Sequence, residues 1–171
     1  MKQVLQDLRT GNVEVADVPA PAVRPAHLLV RTAATLISPG TERMLVEFGQ
    51  SGLLGKARAQ PEKVRQLVTK IRTDGVRPAL EAVASRLEEP LPLGYSNVGR
   101  VLDVGAGVTG FARGQRVLTN GPHAGVVCVP ATLAAVIPDD VDDASAAFAV
   151  LGAIALTGVR LLEPTLGETF A

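Results

Sequence analysis

At Leu93-Gly94-Tyr95-Ser96-Asn97-Val98-Gly99-Arg100-Val101 the chain passes into a β pattern, and the reading of this stretch decides the fold. Asn97 to Val104 is the first of four short strand candidates, followed by Gln115 to Thr119, Gly125 to Pro130 and Ala134 to Ile137. Gly, Asn and Pro turns separate them closely, as a small barrel requires. Upstream, Lys2 to Leu8 and Asn12 to Val18 alternate as strands around a turn at Arg9-Thr10-Gly11-Asn12, which predicts an opening β-hairpin. Pro19, Pro21 and Pro25 keep the backbone extended up to a third strand, His27 to Ile37. Ser38-Pro39-Gly40 ends that strand, and Gly40 forms a turn into a short helix from Thr41.

Helical spacing governs the middle of the chain. Val64, Leu67, Val68 and Ile71 recur on one face, as do Val76, Leu80, Val83 and Leu87, and Asp74-Gly75 divides the two sets. A helical hairpin over 61–88 follows, inside an insertion over about 49–90. From Lys56 to Arg77 it carries seven basic residues against two acidic ones. That excess reads either as a solvated helix face or as a docking surface for an acidic partner or phosphorylated ligand. A last helix is expected over 144–162, with Ala147, Val150, Leu151, Ile154 and Leu161 as its apolar face. Asp139-Asp140-Val141-Asp142-Asp143 stands at its start, where carboxylates cap free amides and meet the positive end of the helix dipole.

A length of 171 residues suits one well-filled core, so the expectation is a single domain over 1–171. A formal charge of zero gives no global field favouring nucleic acid or an anionic membrane. Met1-Lys2-Gln3-Val4 lacks the apolar core of a signal peptide and no apolar run is long enough to span a bilayer, which predicts a cytoplasmic protein. Cys128 is the only cysteine, so intrachain disulfides are impossible, and its place within Val126-Val127-Cys128-Val129 predicts a buried, inert thiol rather than a reactive one.

Gly105-Ala106-Gly107-Val108-Thr109-Gly110 satisfies the spacing of a dinucleotide-binding turn. Its context does not. Phe111 to Val117 contains Gly114 and runs into a strand rather than a long helix, so these glycines read as a turn between strands.

Several stretches in this order resemble the GroES-like N-terminal domain of the medium-chain dehydrogenase/reductases. They are Ile37 to Arg43, Leu93 to Val101, Val104 to Phe111, Gly114 to Val117, Val129-Pro130 and Ile137-Pro138-Asp139. The resemblance covers residues 1–48 and 91–171. It implies a mainly β, α+β fold: a partly open barrel with an inserted helical hairpin, a C-terminal helix and no complete Rossmann domain. In that family the barrel forms one wall of the substrate cleft and a following Rossmann domain binds NAD or NADP. Gly152 to Gly158 resembles the interdomain helix, which makes Thr157 the implied cofactor-binding position. The alternative for Thr157 is a hydroxyl bonded to the preceding helical turn.

Zinc-dependent members need Cys, His and Cys ligands with a Glu beside the His. The corresponding positions here are Ser38 or Pro39, Tyr95, Ala153 and Ser96, and no ligand type survives. His27 and His123 match neither zinc site, and residues 49–90 stand where other members carry the structural-zinc lobe. No metal is therefore expected. The zinc-less relatives that share the Ser-x-Gly-Thr-Glu-Arg and Gly-Tyr-x-x-Val-Gly-Arg signatures include bacterial bi-domain oxidoreductases. The resemblance implies Tyr95 and Thr41 as groups that polarise or protonate a substrate oxygen, with Ser38, Ser96 and Asn97 as substrate-binding positions. Tyr95 would need a neighbour as base; its alternative role is a wall residue with its hydroxyl in water. Glu42 and Arg43 are expected to pair locally.

The family would begin its first Rossmann strand near Gly167 to Ala171, so the expectation is an isolated domain, a truncated product or one half of a split enzyme. Its partners would be an alcohol or carbonyl substrate and a Rossmann domain in cis or trans, with a homo-oligomer open and neither nucleic acid nor membrane. NAD or NADP would belong to the complete enzyme. The competing reading is a noncatalytic binding or assembly module that docks through 61–88; a chaperonin-like cap is a third.

Overall fold

The computed structural model describes residues 1–52, 55–56, 58, 61–78, 85, 87–163, 165 and 167–168, with the backbone alone for 63, 67, 68, 70, 72 and 74. The fold is α+β, with two antiparallel sheets and no closed barrel among the described residues. It divides into two compact units, one of Met1, 19–36 and 94–171, the other of 2–18 and 37–93.

The second unit holds the hairpin. Strands β1 (Lys2–Gln6) and β2 (Val13–Asp17) pair from Lys2↔Asp17 to Gln6↔Val13, and β4 (Leu91–Pro92) adds to the other edge of β1. Between β1 and β2 the Asp7 carboxylate accepts the N–H groups of Arg9 and Thr10, which closes the turn the sequence places there. Gln6 is fully buried, and its amide nitrogen donates to the carbonyl of Val46 at 3.0 Å.

Helix α1 spans Pro39–Gln50. It starts two residues earlier than expected, because proline suits the first helical position and Gly40 is absorbed inside the helix rather than forming a turn before it. Arg43 pairs with Glu47 at 2.7 Å instead of Glu42. The Glu42 carboxylate reaches back to the N–H of Ser38 at 2.9 Å. Helix α2 spans Pro61–Asp74 and is the first arm of the expected hairpin. In the second arm 76–78, 85, 87 and 88 are helical, whereas Leu80 and Val83 lie outside the described residues.

The first unit is built on a five-stranded sheet in the order β7-β3-β5-β6-β8. Its strands are β3 (His27–Thr35), β5 (Asn97–Val104), β6 (Arg116–Thr119), β7 (Val126–Pro130) and β8 (Ala134–Val136). Strand β3 stops two residues short of the expected Ile37. Alternation places Leu28, Val30, Val101, Val117, Val127 and Val129 in one buried cluster, and Val98, Ile137, Ala146 and Ala147 in a second. Cys128 is half-buried on edge strand β7, less enclosed than its apolar neighbours suggest, because the pleat turns it away from the core face that Val127 and Val129 fill.

The expected helix over 144–162 is two helices, α3 (Asp143–Ala147) and α4 (Ala149–Leu161), broken at Phe148. Asp142 caps α3 by accepting the N–H of Ser145 at 2.9 Å, and Arg116 ties β6 to Asp143 at 2.8 Å. Helix α4 has no buried residue: Phe148, Ile154, Leu156, Val159, Leu161 and Leu162 are exposed. Of the expected apolar face, Ala147 is buried and Val150 and Leu151 are half-buried, while Ile154 and Leu161 stand exposed. No described helix is long and apolar enough to cross a membrane.

Candidate functional site

The turn from Gly94 to Asn97 enters β5 with its side chains sorted by burial. Tyr95 is half-buried; Ser96 and Asn97 are 1% and 0% exposed. The Ser96 hydroxyl donates to the carbonyl of Ala147 at 2.6 Å. Asn97 donates from Nδ2 to the Thr32 hydroxyl at 2.8 Å and to the Pro122 carbonyl at 3.2 Å, while its Oδ1 has no partner among the described residues. Two of the three side chains that the resemblance implies for substrate binding, Ser96 and Asn97, are thus enclosed in the protein, with their donors committed to it. In this turn Tyr95, beside them, retains access to solvent.

Gly94 owes its identity to two constraints. Its φ is +92°, a left-handed conformation that glycine alone adopts without penalty. A Cβ there would also stand 2.7 Å from Cγ and Cδ2 of His123. In the sequence His123 stands out only by failing to match a zinc site; its ring contact with Gly94 is a tertiary fact that no local pattern signals.

Tyr95, Ser96, Asn97 and Thr157 belong to the first unit, Ser38 and Thr41 to the second. Ser38 is the half-buried N-cap of α1, yet its hydroxyl makes no capping bond. Thr41 is exposed in the first turn of α1. Thr157 is exposed on α4, and its hydroxyl donates to the carbonyl of Ala153 at 2.8 Å, the back-bonding geometry open to a helical threonine.

Gly105 to Gly110 lies between β5 and β6, with Gly107 and Gly110 at positive φ. No helix follows it, and the carbonyl of Arg24 fills the place of a Cβ at Gly105. This turn does not fit a dinucleotide pyrophosphate, which needs free backbone amides at a helix start. Among the described residues no group of three or more His, Cys, Asp or Glu is placed to hold a metal ion.

No protein-family model and no curated protein sequence matches the chain. Solved structures do. A quinone oxidoreductase from Coxiella burnetii aligns with a TM-score of 0.69 at 19% identity, over 98% of this chain and 47% of the other. An oxidoreductase/dehydrogenase of unknown specificity from Escherichia coli gives 0.67 at 14% identity, over 99% and 49%. The Escherichia coli quinone oxidoreductase in complex with NADPH gives 0.62 at 15% identity, over 93% and 40%. The chain therefore has the fold of part of such a protein and spans about half the length of the structures it matches.

Proposed function

We propose that the chain is the substrate-side domain of a zinc-independent, NAD(P)-dependent oxidoreductase acting on an alcohol or carbonyl group in the cytoplasm. The observation that carries this reading is the match of nearly the whole chain to about half of oxidoreductase structures. Two features support it. The apolar face of α4 calls for a covering partner, and this reading supplies one in a nucleotide-binding half, in cis or trans. The positions that hold zinc in other members carry Ser38 or Pro39, Tyr95, Ala153 and Ser96, which are not a zinc-binding set.

In this reading the cofactor, held by the other half, supplies or accepts the hydride. The chain's own part is to orient the substrate oxygen. Tyr95 donates a hydrogen bond to it from the half-buried turn of the first unit, while the exposed Thr41 and half-buried Ser38 of the second unit keep their proposed roles on the resemblance alone. Ser96 and Asn97 act behind Tyr95 by holding its turn rather than by touching substrate. Thr157 stays the cofactor-side position. The domain alone would not turn over. Combining it with a nucleotide-binding half should give NAD(P)H-dependent reduction of a quinone or carbonyl, and a mixture with no activity across a broad carbonyl panel would defeat the reading.

The second reading, a noncatalytic docking module, has in its favour the exposed polar side of α2, which carries Glu62, Arg65, Gln66, Thr69 and Thr73. A partner profile unchanged by deleting 61–88 would remove it.

A further inference from the structure

His123 sits in the loop between β6 and β7 and is 9% exposed. Its imidazole presents a face to Gly94: the Cβ position lies 2.7 Å from Cγ and Cδ2 and 2.8 Å from Cε1, so the ring fills the room a side chain would take. The backbone immediately before Tyr95 is thus laid on an aromatic plate. The plate is fastened on both sides. Asn97 Nδ2 donates to the carbonyl of Pro122, the Thr32 hydroxyl donates to the carbonyl of Ala124, and the Thr32 N–H donates to Gly125 at 3.1 Å. Asn97 and Thr32 are themselves joined, and the Thr119 hydroxyl, 1% exposed, accepts the N–H of Gly121 at 3.2 Å. Buried polar networks of this kind are stiff, because breaking one member leaves a desolvated group behind.

We propose that His123 is a positioning residue for Tyr95: its clamped ring fixes the Gly94 turn and with it the direction from which the phenol meets a substrate. This rests on the reading of Tyr95 as the substrate-facing group. A hydrogen-bonding group acts on a reacting oxygen only if it is held within about 0.5 Å of its productive place. Asn97 and Thr32 hold the loop, the loop holds the ring, and the ring holds the turn.

Tyr95 is the single tyrosine and the chain has no tryptophan, so tyrosine emission reports this one side chain. In the unaltered chain the Tyr95 amide should show an NMR order parameter near ~0.85; in His123→Ala it should fall below ~0.6, and acrylamide quenching of the emission should rise. His123→Phe restores a flat ring and should reverse both changes. Unchanged signals in a folded His123→Ala, or no reversal in a folded His123→Phe, would overturn the proposal. So would a mobile Tyr95 in the unaltered chain, a result that needs no variant to fold. In the complete oxidoreductase, His123→Ala should lower kcat by about 10²-fold through misplacement, with KM little changed. If the order parameters behave as expected and Tyr95→Phe leaves turnover intact, the seat stands and the substrate role of Tyr95 falls.

Discussion

The Ser96 hydroxyl donates to the carbonyl of Ala147, so the residue after Tyr95 is bonded to the end of α3, beside the break at Phe148. Both residues are buried. Ser96→Ala leaves a buried carbonyl without this donor and should cost about 1–3 kcal/mol in urea denaturation. A variant as stable as the parent would show that the bond contributes nothing net.

Tyr95→Phe removes the phenol while keeping the ring. In the proposed oxidoreductase it should reduce turnover by ~10² to 10⁴-fold, the span of general acid catalysis. Thr41→Val should lower turnover less. Stopped-flow measurement of NAD(P)H oxidation checks both, and parental rates in the two variants would take them off the proton path.

Titration calorimetry of residues 1–171 with NAD, NADP or their reduced forms should show no heat of binding. The Gly105 turn joins strands and offers no helix start to a pyrophosphate. Micromolar binding would mean that residues 1–171 hold a nucleotide site of their own.

Ile154→Ser and Leu161→Ser replace exposed apolar side chains on α4. Each should change the stability of the isolated chain by no more than about 0.5 kcal/mol, while reducing binding of the dye ANS. A large drop in the melting temperature would show that these side chains are buried within the chain in solution.

The carboxyl of Asp142 is held below its ordinary value of 3.8, chiefly by the N–H of Ser145 and then by the Ser145 hydroxyl. A carboxylate whose folded pKa is depressed stabilises the fold above its unfolded pKa, and the benefit is lost as pH falls through the lower folded value. Asn also caps helices but does not titrate in this range. Asp142→Asn should therefore flatten the acid limb of the stability profile below pH 3.8 without abolishing the cap. An acid limb identical in the two proteins would exclude Asp142 as a contributor.

The strands of this fold were legible because alternation is local: Leu28 and Val30, or Val127 and Val129, announce their face within a few residues. The cap at Asp142 was legible for the same reason. Helix boundaries at Pro39 and Phe148 were harder, since one depends on whether a glycine is absorbed into a helix and the other on packing against Ser96 and the sheet. Burial of Ser96 and Asn97 was not visible at all. Polar side chains read as site residues in a motif, and only the partners at Thr32, Pro122 and Ala147 reveal that their donors face inward. The ring of His123 against Gly94 pairs residues far apart in the chain, and neither neighbourhood hints at the other.

Helix α4 gives the chain an adhesive edge. Ile154 and Leu161 stand on one side of the helix and Leu156 and Val159 on the other, so apolar side chains meet water around it and will find other apolar surfaces, intended or not. During synthesis it would be recognised by chaperones for as long as it stayed open. Light scattering should therefore show self-association that grows with protein concentration and falls when Ile154 or Leu161 is replaced by serine.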